Sequence, residues 1–123
     1  GTRDGVNKNN DTFIAYLFAT LPGISKVGTY TGSSSAVNVD CGFTSGARFI
    51  LIKRSSASGD GWFTFDSVRG IVAGNDPFLY LNDTQAEFTS YDAIDPYSAG
   101  FTVTTALGGL NTNGSTYIFY AIA

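Results

Sequence analysis

An antiparallel β-sandwich, all-β and jelly-roll-like, with about eight short strands and no long helix, is the fold class this sequence predicts. Three observations carry it. Apolar segments are strand-sized and alternate with a period of two, and nothing repeats at the helical spacing. Gly, Ser, Asn and Asp gather between those segments, where turns need them. Aromatic residues make up 15% of the 123 positions and charged residues 14%, the balance of a sheet protein with large inward rings. A closed barrel is the alternative arrangement of the same strands.

The elements follow in order. Thr12–Ala19 (TFIAYLFA) is apolar on both faces and predicts a strand buried on both sides. After the break at Pro22-Gly23, Lys26–Gly32 reads as a second strand. Val37–Phe43 alternates, with Val37, Val39, Cys41 and Phe43 on one face and Asn38, Asp40 and Gly42 on the other. Ala47–Arg54 (ARFILIKR) predicts a central strand that runs into solvent at Lys53 and Arg54, and Ser55–Gly61 a hairpin loop of small residues. GWFTFDSVRG from Gly61 returns as a strand. Further strands are expected at Pro77–Asn82, Gly100–Thr105 and Thr116–Ala123, the last preceded by the tight-turn pair Asn113-Gly114.

The two ends of the chain resemble each other. Val6–Ala19 aligns with Leu110–Ala123 at a constant offset of 104 positions, with Asn7/Asn111, Asn9/Asn113, Thr12/Thr116, Ile14/Ile118, Tyr16/Tyr120 and Ala19/Ala123 identical. The favoured layout makes residues 1–19 a terminal strand like the end of a preceding repeat unit, followed by a single sandwich domain over 20–123. The alternative makes the two strands quasi-equivalent within one sandwich. The first residue is not Met and no signal-peptide pattern is visible, so a piece of a longer protein is expected.

Composition narrows function. A net charge of −3 leaves no basic stripe for nucleic acid or for an anionic membrane surface, and no apolar run reaches the length of a membrane-spanning helix. Cys41 is single, so no internal disulfide forms, and its apolar face predicts a core thiol. Histidine is absent, which removes the commonest general base and metal ligand. No phosphate loop, zinc signature or nucleophile elbow is present. An enzyme is not expected, and neither a cofactor nor a metal.

Candidate binding residues come from the alternation. Phe63 and Phe65 point one way and make the better core face, leaving Trp62, Thr64 and Asp66 outward. In NDPFLYLND, Leu79 and Leu81 are read as inward and Phe78, Tyr80 and Asn82 as outward. Exposed rings beside forked polar groups suit the face and hydroxyls of a sugar, and equally a subunit contact. The contact set is therefore Trp62, Asp66, Arg69, Phe78 and Tyr80, with core or subunit packing as the plainer reading. Arg69, three residues after Asp66, reads first as a structural ion pair. AGNDP and LNDT carry oxygens for calcium, but their spacing does not match a calcium loop, so turn chemistry is favoured. YDAID holds two carboxylates without the defined separation of a hydrolase pair. The sequons at Asn10, Asn82 and Asn113 are likewise read as turns.

Taken as a series, YLFA, VGTYTG, VDCGF, RFILIKR, GWFTFDSVRG, NDPFLYLND, GFTVTT and TYIFYAIA resemble a β-rich domain of virion structural and tail-fibre-like proteins of tailed bacteriophages, marine phages and cyanophages especially. The resemblance covers nearly the whole chain and carries no catalytic signature. It implies a non-enzymatic module on the virion surface, in a tail fibre or appendage, that recognises host glycan or builds the fibre. The alternative it leaves is a capsid-decorating or fibril-forming subunit assembled by strand sharing. Self-association is expected, with a trimer among the open states.

Overall fold

The computed structural model describes residues 4–123 and contains eight strands and two single helical turns. In chain order these are α1 (Asp4–Asn7), β1 (Ser25–Thr31), β2 (Val37–Asp40), β3 (Phe49–Arg54), β4 (Phe63–Asp66), β5 (Leu79–Tyr80), β6 (Ile94–Tyr97), β7 (Gly100–Val103), α2 (Gly108–Asn111) and β8 (Thr116–Ile122). They form two antiparallel sheets, one in the order β1-β8-β3-β4-β5 and one in the order β2-β7-β6. The all-β class and the eight strands are as the sequence predicts. First pairs with last and second with seventh, as in a jelly roll, while β3 pairs with β4 and β8 rather than with β6.

Alternation explains the core. On β8, Tyr117, Phe119 and Ala121 point inward, and they meet Ile50 and Ile52 of β3 and Phe63 and Phe65 of β4. The smaller sheet contributes Val39, Ile94, Phe101 and Val103, and Phe101 meets Phe119 edge-on across the layers at 5.4 Å between centroids. Gly28 lies opposite Phe119 in the β1–β8 ladder, where a Cβ would sit 2.7 Å from the ring, so a side chain on β1 would compete with the core. Tyr30 stacks on Tyr117 at 4.8 Å and donates to the Leu110 carbonyl at 2.7 Å. Asn111 closes that end: its amide donates to the Ser35 and Thr104 carbonyls, and its Oδ1 accepts from the Ser33 N–H. The Asn113-Gly114 turn is present, with Gly114 at φ 75°, a conformation that costs glycine nothing.

Four expectations are corrected. Thr12–Ala19 forms no strand, and every residue of it is exposed. The reason is occupancy: β8, the strand it resembles, already fills the position between β1 and β3. Thr20 and Leu21 meanwhile engage the free edge of β1, Leu21 exchanging backbone hydrogen bonds with Ser25 and the Thr20 hydroxyl pairing with both polar groups of Val27. Residues 1–3 of the expected 1–19 unit lie outside the described residues. Second, β6 supplies the eighth strand in place of Thr12–Ala19; its Pro96 sits on a sheet edge, where a missing N–H is tolerated. Third, Lys53 and Arg54 do not run into solvent. Lys53 donates to the Asp60 carbonyl, and Arg54 pairs with the Asp60 carboxylate at 3.4 Å and donates to Ser115 Oγ at 2.6 Å, so both pin the 55–61 loop. Fourth, the faces around β5 are reversed, with consequences for the predicted site.

Candidate functional site

The outer face of the five-stranded sheet carries an apolar patch where the middles of β1, β8 and β3 meet. Strand alternation that sends Tyr117 and Phe119 inward leaves Ile118 and Tyr120 outward on β8, with Val27 opposite Tyr120 on β1 and Leu51 opposite it on β3. Trp62, just ahead of β4, lies beside Leu51 at this face. The expectation that Trp62 faces away from the Phe63/Phe65 core holds.

The 11–20 arm lies over this surface. Phe18 rests against Tyr120 at 4.5 Å between ring centroids. A groove of about 160 Å³ lies among Phe18, Val27, Leu51, Trp62, Ile118 and Tyr120. A second lobe of about 530 Å³ shares Phe18, Leu51 and Trp62 and extends to Tyr16, Leu81 and Asn82. Asn82 fixes the Trp62 backbone by accepting its N–H at 2.7 Å, and the Leu81 N–H donates to the Trp62 carbonyl at 2.8 Å. The arm itself stays open to water: Ile14 is 83% exposed, Tyr16 82% and Leu17 91%. No charged residue occurs from Thr12 to Ile24. Chemically the groove offers ring faces and aliphatic area, and no Asp, Glu, Lys, Arg or Cys side chain lines it.

The predicted contact set does not assemble. Asp66 and Arg69 form an ion pair at 2.7 Å, the plainer of the two readings. The Asp66 carboxylate also accepts the Val68 and Arg69 N–H groups, so it shapes the turn after β4. Arg69 further donates to the Thr64 carbonyl and faces Glu87 at 3.8 Å. Phe78 is buried, stacked on Phe88 at 4.9 Å and within 5.5 Å of Phe65. Tyr80 lies opposite Phe63 in the ladder, on the inner side, with ring centroids 4.8 Å apart. Burial raises its phenol pKa, with the nearby Asp60 carboxylate adding to the effect.

Leu79 and Leu81 are therefore the outward residues. Gly61 explains why: a Cβ there would meet the Tyr80 ring at 2.3 Å, so the absent side chain makes the space that Tyr80 fills. Sequence reasoning also missed the groove-lining role of Phe18 and Tyr16. Their signal was present in the repeat of an outward Ile-x-Tyr pattern, Ile14/Tyr16 matching Ile118/Tyr120.

Asp76 is the buried carboxylate. It accepts the Val72 N–H at 3.0 Å through Oδ1, and the Ala93 and Ile94 N–H groups at 3.0 and 2.9 Å through Oδ2. Burial raises its pKa against the opposing pull of those three bonds. Its role is to join the 72–76 loop to the start of β6, in keeping with turn chemistry rather than calcium binding. Among the described residues no group of three or more His, Cys, Asp or Glu side chains is placed to hold a metal ion. Cys41 is buried, and burial pushes its thiol up to about 11, so the expected core role stands.

Neither a curated protein nor a solved structure matches the chain. One family model does, and it spans residues 1–123, the arm and the sandwich together. The chain therefore belongs to the family described as Domain of unknown function (DUF7483).

Proposed function

We propose that the chain is a non-enzymatic surface module of a tailed-phage particle, a fibre- or appendage-building subunit that associates with copies of itself through the 11–20 arm and the outer face of the five-stranded sheet. The exposed arm is the observation that carries this. Ile14, Tyr16 and Leu17 stand in water on an uncharged segment, and burying each such side chain fully is worth about 1.5–3 kcal/mol. A second copy is the occupant that fits. Thr12, Ile14 and Tyr16 reproduce Thr116, Ile118 and Tyr120, the outward stripe of β8 against which Phe18 already packs within one chain. An arm of one copy thus carries the surface that its own sheet presents. The particle setting is supported by the resemblance of the motif series to phage virion proteins. The non-enzymatic reading is supported by the lack of histidine and by carboxylates already engaged, Asp66 by Arg69, Asp60 by Arg54 and Asp76 by backbone N–H groups.

Sedimentation velocity and light scattering over a range of concentrations test the assembly. Association is expected, and Ile14→Asp with Leu17→Asp should abolish it while leaving the thermal melt unchanged. A wild-type chain that stays monomeric at every concentration overturns the reading. Antibody against the chain should decorate intact particles of the encoding phage, and particles without label overturn the setting.

A further inference from the structure

A second concavity lies away from the arm, where the two sheets meet at one end. The 45–48 segment leading into β3, the residues after β4 and the β6–β7 turn converge there around a cleft of about 380 Å³, within the size class of small-ligand sites. Its walls are held by backbone bonds. The Gly46 N–H donates to the Ser98 carbonyl at 2.8 Å and the Ala47 N–H to the Gly100 carbonyl at 2.8 Å, tying the segment to the smaller sheet. The Arg48 N–H donates to the Ile122 carbonyl at 2.7 Å and the Ser67 N–H to the Arg48 carbonyl at 2.8 Å, tying it to the larger one.

The side chains are in the opposite condition. Arg48, Tyr97, Ser45, Ser67 and Ser98 all line the cleft; Tyr97 is half-buried, the other four are exposed at its rim, and among the described residues none of their side chains is tied up in a hydrogen bond or ion pair within the chain. Arg54 and Arg69, by contrast, are both committed to carboxylates. No Asp or Glu lines the cleft, and Ile71 gives it an apolar wall. A fixed backbone thus presents one planar cation, one phenol ring and three hydroxyls together.

We propose that this cleft is a binding site for a carboxylated sugar. The Arg48 guanidinium offers the sugar carboxylate a two-pronged, charge-assisted pair that a neutral sugar cannot use. The Tyr97 ring and Ile71 offer apolar surface to the ring face, and the serine hydroxyls both donate to and accept from sugar hydroxyls. The site is independent of the assembly reading, since none of its residues lies on the arm or lines the outer groove.

Titration of the full chain with a glucuronate-terminated oligosaccharide, followed by amide chemical shifts, tests the assignment. Shifts should centre on residues 45–48, 67–71 and 96–98, and the neutral glucose counterpart should bind at least tenfold more weakly. Arg48→Gln should weaken glucuronate binding at least tenfold, and Tyr97→Ala should do the same while Tyr97→Phe retains most of it. Trp62→Ala should leave the affinity unchanged, and melts of all variants should stay close to wild type, since these side chains hold nothing together. Equal binding of the neutral sugar, full binding by Arg48→Gln, or no shifts at millimolar sugar would each overturn the proposal. So would inorganic phosphate displacing the sugar at equal concentration, which would make the cleft a general anion site.

Discussion

Removing the Asp76 carboxylate tests whether one buried group organises the 72–94 region. Asp76 has no exposed surface and satisfies three backbone donors, those of Val72, Ala93 and Ile94. Asp76→Ala leaves all three without a partner. Each unsatisfied buried donor costs about 1–3 kcal/mol, so the gross loss is about 3–9 kcal/mol. Two effects reduce it: water can enter the space left by the carboxylate, and the variant no longer buries a carboxylate. The expected net loss is about 3–5 kcal/mol, a large part of the stability of an ordinary domain. At roughly 3–6 °C per kcal/mol for a chain of this length, the melting temperature should fall by at least ~10 °C.

The sign of the pH dependence is a separate check. Asp76 has a folded pKa raised above the ordinary carboxylate value, so its contribution is fully present below that value and is lost as pH rises through the folded pKa. Relative to Asp76→Asn, which does not titrate, the wild type should lose stability as pH climbs out of the acid range. Thermal melts of both proteins between about pH 3 and pH 7 measure that difference directly. A wild type that gains on Asp76→Asn with rising pH would show that the three hydrogen bonds outweigh burial, and the reasoning would fail. An Asp76→Ala melt within a few degrees of wild type would refute the organising role itself.

Gly28→Ala should cost about 1–3 kcal/mol in chemical denaturation, because its Cβ would fall 2.7 Å from Phe119 in a filled core; an unchanged midpoint would mean that Phe119 moves freely. Phe78→Ala should cost about 3–5 kcal/mol while Trp62→Ala stays within about 1 kcal/mol, since only Phe78 is fully buried. The reverse order would return Phe78 to the surface, where sequence reasoning placed it. Cys41, with its thiol pushed up to about 11, should resist a thiol reagent at pH 8 in the native chain and react on unfolding. Labelling of the native chain at the unfolded rate would contradict its burial.

Much of the fold was legible because long alternating strands report their own faces. Val37, Val39, Cys41 and Phe43 point to the core, and Asn38, Asp40 and Gly42 point away, as their sequence pattern requires. The Phe63/Phe65 face and the central place of β3 were readable for the same reason. β5 was not, because a strand of two residues offers one alternation and no redundancy. Hydropathy then favoured Leu79 and Leu81 as the inward pair. Volume decided otherwise, since Phe78 and Tyr80 fill the space beside Phe63, Phe65 and Phe88. The predicted contact set failed with that phase. The cleft at Arg48 and Tyr97 was invisible for a different reason: it joins segments about 50 positions apart through backbone bonds that no local pattern encodes.

The arm shows where pattern reading stops. Thr12–Ala19 has the composition of a strand buried on both faces, and a strand needs neighbours as well as composition. Within one chain the place of the strand it resembles is taken. β8 lies between β1 and β3, and Thr20 and Leu21 occupy the near part of the β1 edge. The match to β8 is also uneven in a way that bears on the partner. Outward Thr116, Ile118 and Tyr120 recur as Thr12, Ile14 and Tyr16, whereas inward Tyr117, Phe119 and Ala121 become Phe13, Ala15 and Leu17. An arm that replaced β8 in another copy would put Ala15 where Phe119 meets Phe101, and Leu17 where only Ala121 fits. Such replacement would open a cavity at one position and overfill the other, at a cost of several kcal/mol. Association through the outward stripe leaves both cores intact. A chain truncated after Ser115, which lacks β8, should therefore not regain a cooperative melt when mixed with wild-type arms, whereas recovery of that melt in the mixture would show that the arm enters the core after all.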